Sequence, residues 1–303
     1  MAITLITLGI LILSLFCVGI MLYKFYHEPV QALSWLDYAK LIFSGIIAFI
    51  ADTLGVGSFA MNVALAKILG TFHDDELPAV NNGAQVIPGT IESLYFMHFV
   101  DVDLTTLITL VAGTCLGGLL GGLIFSRLSK QATRLAMICS FLLIIALLIS
   151  HQFHLLPLTG DLMELHGGKL VIAFFALLVC GALTSVGVGL FVMVQGVLFV
   201  MNISPLVAFP IMTAAGAMQQ PLTTIVFLQR NKIPLKKTLI LSLSGCLGVL
   251  ITIPVFAHLT ITWLHLFLLG ILTFNLIAVS RTYWLNFKLS AFAHLRYTVH
   301  NFY

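Results

Sequence analysis

The segment "GIIAFIADTLGVGSFAMNVALAKILG", residues 45–70, carries Gly55 and Gly57 near the middle of an apolar run that extends from 38 to 70. As one straight helix that run would measure roughly 50 Å, against a bilayer hydrocarbon core of about 30 Å. A second run, 169–202, has the same excess length and carries "VGVGLF" at 186–191. Glycine is a poor helix former, so each pair marks a place for the helix to break. Cut there, each run yields pieces of roughly 12 to 16 residues, about 18 to 24 Å. Such pieces suit a hairpin that enters the membrane, turns and leaves on the side it came from.

The rest of the chain agrees with a membrane setting. Of 303 residues, 60% are hydrophobic and 8% charged, and the mean hydropathy is +1.11. A soluble domain averages about 25% charged residues, so this chain cannot cover a water-facing surface. The small positive net charge gives no reason to expect nucleic acid as a partner; the lipid bilayer is the expected one. Besides the two long runs, apolar segments lie near 2–23, 77–97, 104–125, 132–150, 206–228, 238–257 and 263–280. The first has no preceding Lys or Arg and no small-x-small cleavage site, so it reads as a retained helix. The organisation expected is an N-terminal helix within 1–30, one repeat over 38–150, a second over 169–280, and a polar, aromatic tail over 281–303 along the membrane surface.

Charge placement tests the hairpins, because cytoplasmic loops are enriched in Lys and Arg. If every segment crosses once, Lys67, Arg127, Lys130 and Arg134 fall opposite all the other basic residues. If the two long runs are hairpins, every Lys and Arg except Lys169 falls on one side. That scheme places the N-terminus outside and the C-terminus in the cytoplasm.

The two halves also repeat. Gly55, Gly57 and Phe59 match Gly187, Gly189 and Phe191, and Pro78 matches Pro210, all at an offset of 132 (187 − 55). Gly83 and Pro88 match Gly216 and Pro221, and Cys115-Leu116-Gly117 matches Cys246-Leu247-Gly248, each within one residue of that offset. Each repeat is then a hairpin plus three crossings. Three is odd, so the second copy is inverted relative to the first. The fold class expected is an all-α polytopic membrane protein of two inverted repeats, with an extra N-terminal helix. Inverted repeats with broken helices are the architecture of many secondary transporters.

The chemistry expected of such a fold starts from the backbone. A broken helix exposes N–H groups, and the positive end of its dipole, where the second half begins. Those starts fall near Ser58 and Leu190, so Gly55, Gly57, Ser58, Gly187 and Gly189 are candidate substrate-facing positions for a small anion. The neighbouring segments "PAVNNGAQVIPGTIESLYF" and "FPIMTAAGAMQQPLTTIVF" add the amides Asn81, Asn82, Gln85, Gln219 and Gln220. Prolines 88 and 221 free backbone carbonyls beside them. Asp52 and Glu92 are the acids well inside apolar segments and are candidates to carry a coupling ion. For Asp52 three roles stand open: a protonated acid, a cation ligand, or a cap on the next half-helix. Its matched position in the second repeat is Thr184, which favours the cap. Gly113, Gly117 and Gly121, and Ser244 with Gly248, form small-residue rows for helix packing. The five cysteines form no CxxC pair and no metal spacing; no metal, cofactor or catalytic constellation is expected. Cys115 and Cys246 leave one alternative, a transmembrane thiol–disulfide electron carrier.

The stretches at 45–70 and "LVCGALTSVGVGLFVMVQGVLFVMNISPLVAFPIMTAAGA" at 178–217, followed by "NKIPLKKTLILSLSGCLGVL" at 231–250, resemble the TauE/SafE permeases, exporters of sulfite and organosulfur anions. The resemblance spans roughly residues 40–280. It implies a multi-pass permease of the cell (plasma or inner) membrane for small sulfur-containing anions, driven by an ion gradient. By motif match, Gly55, Gly57, Gly187 and Gly189 would be its substrate-facing backbone. Family members carry a richer Gly-Gly-Gly run at the break than the Gly-Val-Gly found here.

Overall fold

A computed structural model describes residues 2–27, 32–97, 102–153, 160–187, 189–230, 233–254 and 269–285. Described secondary structure is helical apart from one isolated bridge between Leu162 and Ile203. The helices are α1 (Ala2–His27), α2 (Trp35–Thr53), α3 (Ser58–Leu69), α4 (Leu77–Phe96), α5 (Leu104–Phe125), α6 (Lys130–Gln152), α7 (Gly167–Thr184), α8 (Leu190–Val200), α9 (Pro205–Gln229) and α10 (Leu235–Thr252). A further helix, α11, covers 269–285. Among the described residues six helices are long and apolar enough to cross a membrane: α1, α5, α6, α7, α9 and α10. The chain is therefore a helical membrane protein. Most of the expected tail, part of the segment expected at 263–280, and Lys232 lie outside the described residues.

Both overlong runs break at their glycines. The pieces are less even than the expected roughly 12 to 16 residues: α2 has 19 and α3 has 12, α7 has 18 and α8 has 11. An 18-residue helix measures about 27 Å, so α7 nearly spans the hydrocarbon by itself. The break falls late because the helix runs up to the residues that must adopt a left-handed backbone, and these lie beyond the centre of each run. Gly55, Gly57 and Gly187 have φ of +86°, +93° and +95°, a region that side-chain-bearing residues avoid.

The α2–α3 pair starts and finishes at one end of the bundle. Lys236, in the first turn of α10, lies over the Tyr38 ring at the start of α2. Its neighbour Lys237 donates to the Thr71 carbonyl, just past α3, at 2.9 Å. The α7–α8 pair starts and finishes at the other end. Leu165, just before α7, donates its N–H to Thr106 Oγ1 in the first turn of α5. Asn202, just past α8, accepts from Leu162 N at 2.9 Å. Helix α5 is 22 residues long, about 33 Å. Its far end lies with Asp75 and Lys130 around a shared recess.

The two most extensive helix contacts, α5–α7 and α2–α10, both rest on missing side chains. On α5, Cβ atoms added at Gly113 and Gly121 would stand 2.7 Å and 2.5 Å from the Phe174 and Ala182 carbonyl oxygens of α7, and one at Gly117 would run into the Leu178 carbonyl. Glycines four apart on one helix thus face carbonyls four apart on the other, a close-approach seam of the kind membrane helices use. The α2–α10 contact is built alike. A Cβ at Gly45 would meet Leu241 O and Ser244 Oγ, and one at Gly248 would meet Ile46 O. The expected small-residue rows are therefore packing faces. At the basic end Asp74, nearly buried, pairs with Lys67 and, at 2.7 Å, with Arg134 Nε. Through Asp74, Lys67 ties the end of α3 to α6. Burial alone would raise the Asp74 carboxyl, but hydrogen bonds and charge from Lys67 and Arg134 outweigh that and hold it below the ordinary carboxylate range.

Candidate functional site around two helix breaks

At the first break α2 closes through Gly55 N to Asp52 O and Val56 N to Ala51 O, both 2.8 Å. The chain then turns and α3 begins at Ser58. The Ser58 N–H donates to Asp52 Oδ1 at 2.6 Å. Asp52 therefore caps the half-helix that follows its own break, one of the three roles its position allowed. Its other oxygen accepts from Gln85 Nε2, and Gln85 Oε1 accepts from Ser58 Oγ at 2.6 Å. Glu92, one per cent exposed, accepts from Thr53 Oγ1 at 2.6 Å and lies near Asp52.

The second break differs in detail. Val186 N and Gly187 N donate back to Leu183 O and Thr184 O, at 3.0 Å each. Helix α8 starts at Leu190 with no side-chain cap. Thr184 does not play the part of Asp52: its hydroxyl donates to Cys180 O at 2.9 Å within its own helix. The two matched positions thus share the break and not the cap. A threonine hydroxyl is satisfied one turn back, whereas a carboxylate has to find donors elsewhere. Gly189 has an ordinary φ of −59°. A Cβ there would lie 4.0 Å from the Phe59 Cβ, an ordinary contact, so neither backbone conformation nor space requires glycine at this position.

The two breaks meet. Gly57, Val56 and Ala60 from the first, with Gly189 and Phe191 from the second, line one cavity closed by Phe141 and Ile144 of α6 and Leu272 of α11. Its volume is about 10 Å³, room for one water at most. A larger recess of about 170 Å³ reaches Val186 of the second break. Pro78, Phe125, Ser126 and Phe227 form its walls, and Lys130, paired with Asp75 at 3.2 Å, stands at its rim.

The candidate amides fall into three groups. Gln85 belongs to the Asp52 network, and Gln220 Oε1 approaches it across Gly89. Asn81 and Asn82 lie between the breaks: Asn81 Nδ2 donates to Phe59 O at 3.4 Å, and Asn82 Nδ2 donates to Thr184 O at 3.2 Å. Gln219 stands apart. It packs into the space left by Gly118 on α5 and donates to Thr223 Oγ1. Two residues were not foreseen. Thr53 orients Glu92, and Asn275, on α11, donates its Nδ2 to Ala60 O at 2.7 Å. Asn275 interrupts the apolar run "GILTFNLIAV", the kind of signal that singled out the other amides. The five cysteines are free thiols, and Cys246 Sγ donates to Ser242 O within its own helix. No cluster of metal-ligating side chains occurs among the described residues.

Among the described residues the buried charged groups are Asp52, Asp74 and Glu92, all acidic, and no Lys or Arg is buried. Fold and site thus define a helical membrane protein with two broken helices facing each other beside a carboxyl pair. Compared with known proteins, the chain matches no family model, no curated protein and no solved structure.

Proposed function

We propose that this chain is a permease that carries a small anion across the cell membrane by alternating access, coupled to a proton gradient. The observation that carries the reading is the meeting of Gly57 and Gly189 at one small cavity. Two helix breaks from distant parts of the chain converge there, in a protein whose long helices fit a bilayer. Breaks of this kind are unfavourable in lipid unless they are buried in protein or line a cavity, and paired breaks near the midplane are how many secondary transporters build their binding sites.

The packing supports two inverted repeats. Helix α2 of the first repeat lies on α10 of the second, and α7 of the second lies on α5 of the first, through matching small-residue seams. The α2–α3 and α7–α8 pairs open toward opposite ends, as an inverted pair of hairpins would. On this reading the end bearing Lys67, Lys130, Arg134 and Lys237 is cytoplasmic, with the N-terminus outside and the C-terminus inside. The recess reaching Val186 is then the cytoplasmic approach. The cavity between the breaks, too small for any cargo, belongs to a closed state. Asp52 and Glu92 hold the coupling proton. Gly55, Gly57, Ser58, Gly187, Gly189, Asn81, Asn82, Gln85 and Gln220 surround the path.

The resemblance to the TauE/SafE permeases supplies the cargo class, sulfite or a related organosulfur anion. Flux in proteoliposomes with a panel of sulfite, thiosulfate, sulfonates and carboxylates tests it. Accelerated uptake of at least one anion, driven by an inward proton gradient, is expected. Movement of a cation with no anion moved would overturn the reading.

A further inference from the structure

Resting on the permease reading, we infer that Glu92 carries the coupling proton and that Thr53 is the positioning residue that holds Glu92 both with the proton and without it. Thr53 is the last residue of α2, directly before the first break, and is three per cent exposed. Its hydroxyl oxygen stands 2.6 Å from Glu92 Oε1 and 3.0 Å from the Phe49 carbonyl oxygen. A threonine hydroxyl has one proton to give and lone pairs to accept with. It cannot donate to both neighbours at once, and the state of Glu92 decides which it serves. Without its proton, Glu92 receives the Thr53 hydroxyl as a charge-assisted hydrogen bond. With a proton, Glu92 donates to Thr53 Oγ1 and Thr53 donates to Phe49 O, the same bond one turn back that Thr90, Thr184 and Thr252 make. The Phe49 carbonyl keeps its helical N–H partner in either case. No heavy atom has to move between the two states.

Asp52 has no such freedom. Its Oδ1 faces the Ser58 backbone N–H, which can only donate. Its Oδ2 accepts from Gln85 Nε2, and the Ser58 hydroxyl, donating to Gln85 Oε1, fixes that amide's orientation. A proton on either oxygen would meet a donor, so the proton of the pair goes to Glu92. The other titratable groups around Glu92 are few. Cys246 faces it from α10, and Tyr95 follows it on α4. Lys67 of α3 is engaged with Asp74 at the basic end. Helix α9 carries no titratable residue, and the first on α1, Cys17, packs with Ala79 and Val86, nearer the start of α4. Neither cavity described above is lined by Thr53 or Glu92. The proton is thus occluded in this state and exchanges with water when the breaks part.

The test is infrared difference spectroscopy of the purified full-length protein across pH, reading the C=O stretch of protonated carboxyl groups. A titrating band is expected that vanishes in Glu92→Gln and persists, with a displaced midpoint, in Asp52→Asn. Thr53→Val should raise the midpoint by about one pH unit, the difference between a hydrogen bond to a charged group and one to a neutral group. Thr53→Ser should restore the wild-type midpoint. Thr184→Val, which removes a hydroxyl bonded within its own helix, should leave it unchanged. The pH at which gradient-driven uptake falls to half should move with the midpoint in Thr53→Val. A band lost in Asp52→Asn or kept in Glu92→Gln would overturn the placement of the proton, whether or not the Thr53 variants fold. A midpoint unmoved in Thr53→Val would overturn the role of Thr53. The spectra read protonation without transport, so a protein that moves no anion yet shows these bands would overturn the permease reading and not the placement of the proton.

Discussion

Replacing Asp52 separates its two tasks. In Asp52→Ala the Ser58 N–H loses its acceptor at 2.6 Å, a cap worth about 0.5–2 kcal/mol. Gln85 Nε2 loses its acceptor as well, and a buried unpaired donor costs about 1–3 kcal/mol. Together the variant should be less stable by roughly 1.5–5 kcal/mol. Asp52→Asn keeps an oxygen for Ser58 and so keeps the cap. It turns an amide donor toward Gln85, so the second loss of about 1–3 kcal/mol remains. The order of thermal stability in detergent should be wild type, then Asp52→Asn, then Asp52→Ala. Transport should respond differently. Neither variant keeps a carboxylate beside Glu92, so both should lose the acceleration of uptake by an inward proton gradient, and Asp52→Asn should keep equilibrium exchange of cargo. An Asp52→Ala protein as stable as wild type would remove the capping argument. Gradient-driven uptake unchanged in both Asp52→Asn and Glu92→Gln would remove the coupling argument.

Gly117→Ala should part α5 from α7, since its Cβ meets the Leu178 carbonyl, and lower stability by about 1–3 kcal/mol or more; Gly19→Ala, inside α1 where an added Cβ meets nothing, should not lower melting and should raise stability by up to about 1 kcal/mol. Gly57→Ala has open space around it as well, but its φ of +93° should cost about 1–3 kcal/mol through the backbone alone, visible as a lowered melting temperature with α5–α7 intact. The lowered Asp74 carboxyl stabilises the basic end at neutral pH. That contribution should be lost as pH falls through its folded-state value, and Asp74→Asn should remove the pH dependence at a cost of about 3 kcal/mol or less. Single cysteines at Lys40 and Lys67 should label from the same face of sealed vesicles; labelling from opposite faces would eliminate the first hairpin. Cys246→Ser should keep most anion flux, whereas a thiol–disulfide carrier would lose all activity.

The breaks at Gly55–Gly57 and Gly187–Gly189 were legible before any coordinates, and for a simple reason. A run too long for the bilayer, with two residues that disfavour helix near its middle, has few other ways to fit. The small-residue rows on α5 and α10 were legible on similar grounds, because little but close packing puts glycines four apart in a membrane helix. Spacing along one chain says nothing about which distant atoms come within 3 Å. That Asp52 caps α3 while Thr184 satisfies itself depends on where Ser58, Gln85 and Cys180 stand in space. That Lys67 joins Asp74 and Arg134 depends on α6 lying beside the end of α3. Gln219 read as equivalent to Gln220 until α5 claimed it. Asn275 gained its place only when α11 brought it to the Ala60 carbonyl. Apolar length and glycine position act locally, so the chain alone settles that the helices break and where. Partner choice among buried polar groups is a long-range matter, and only the packed bundle decides it.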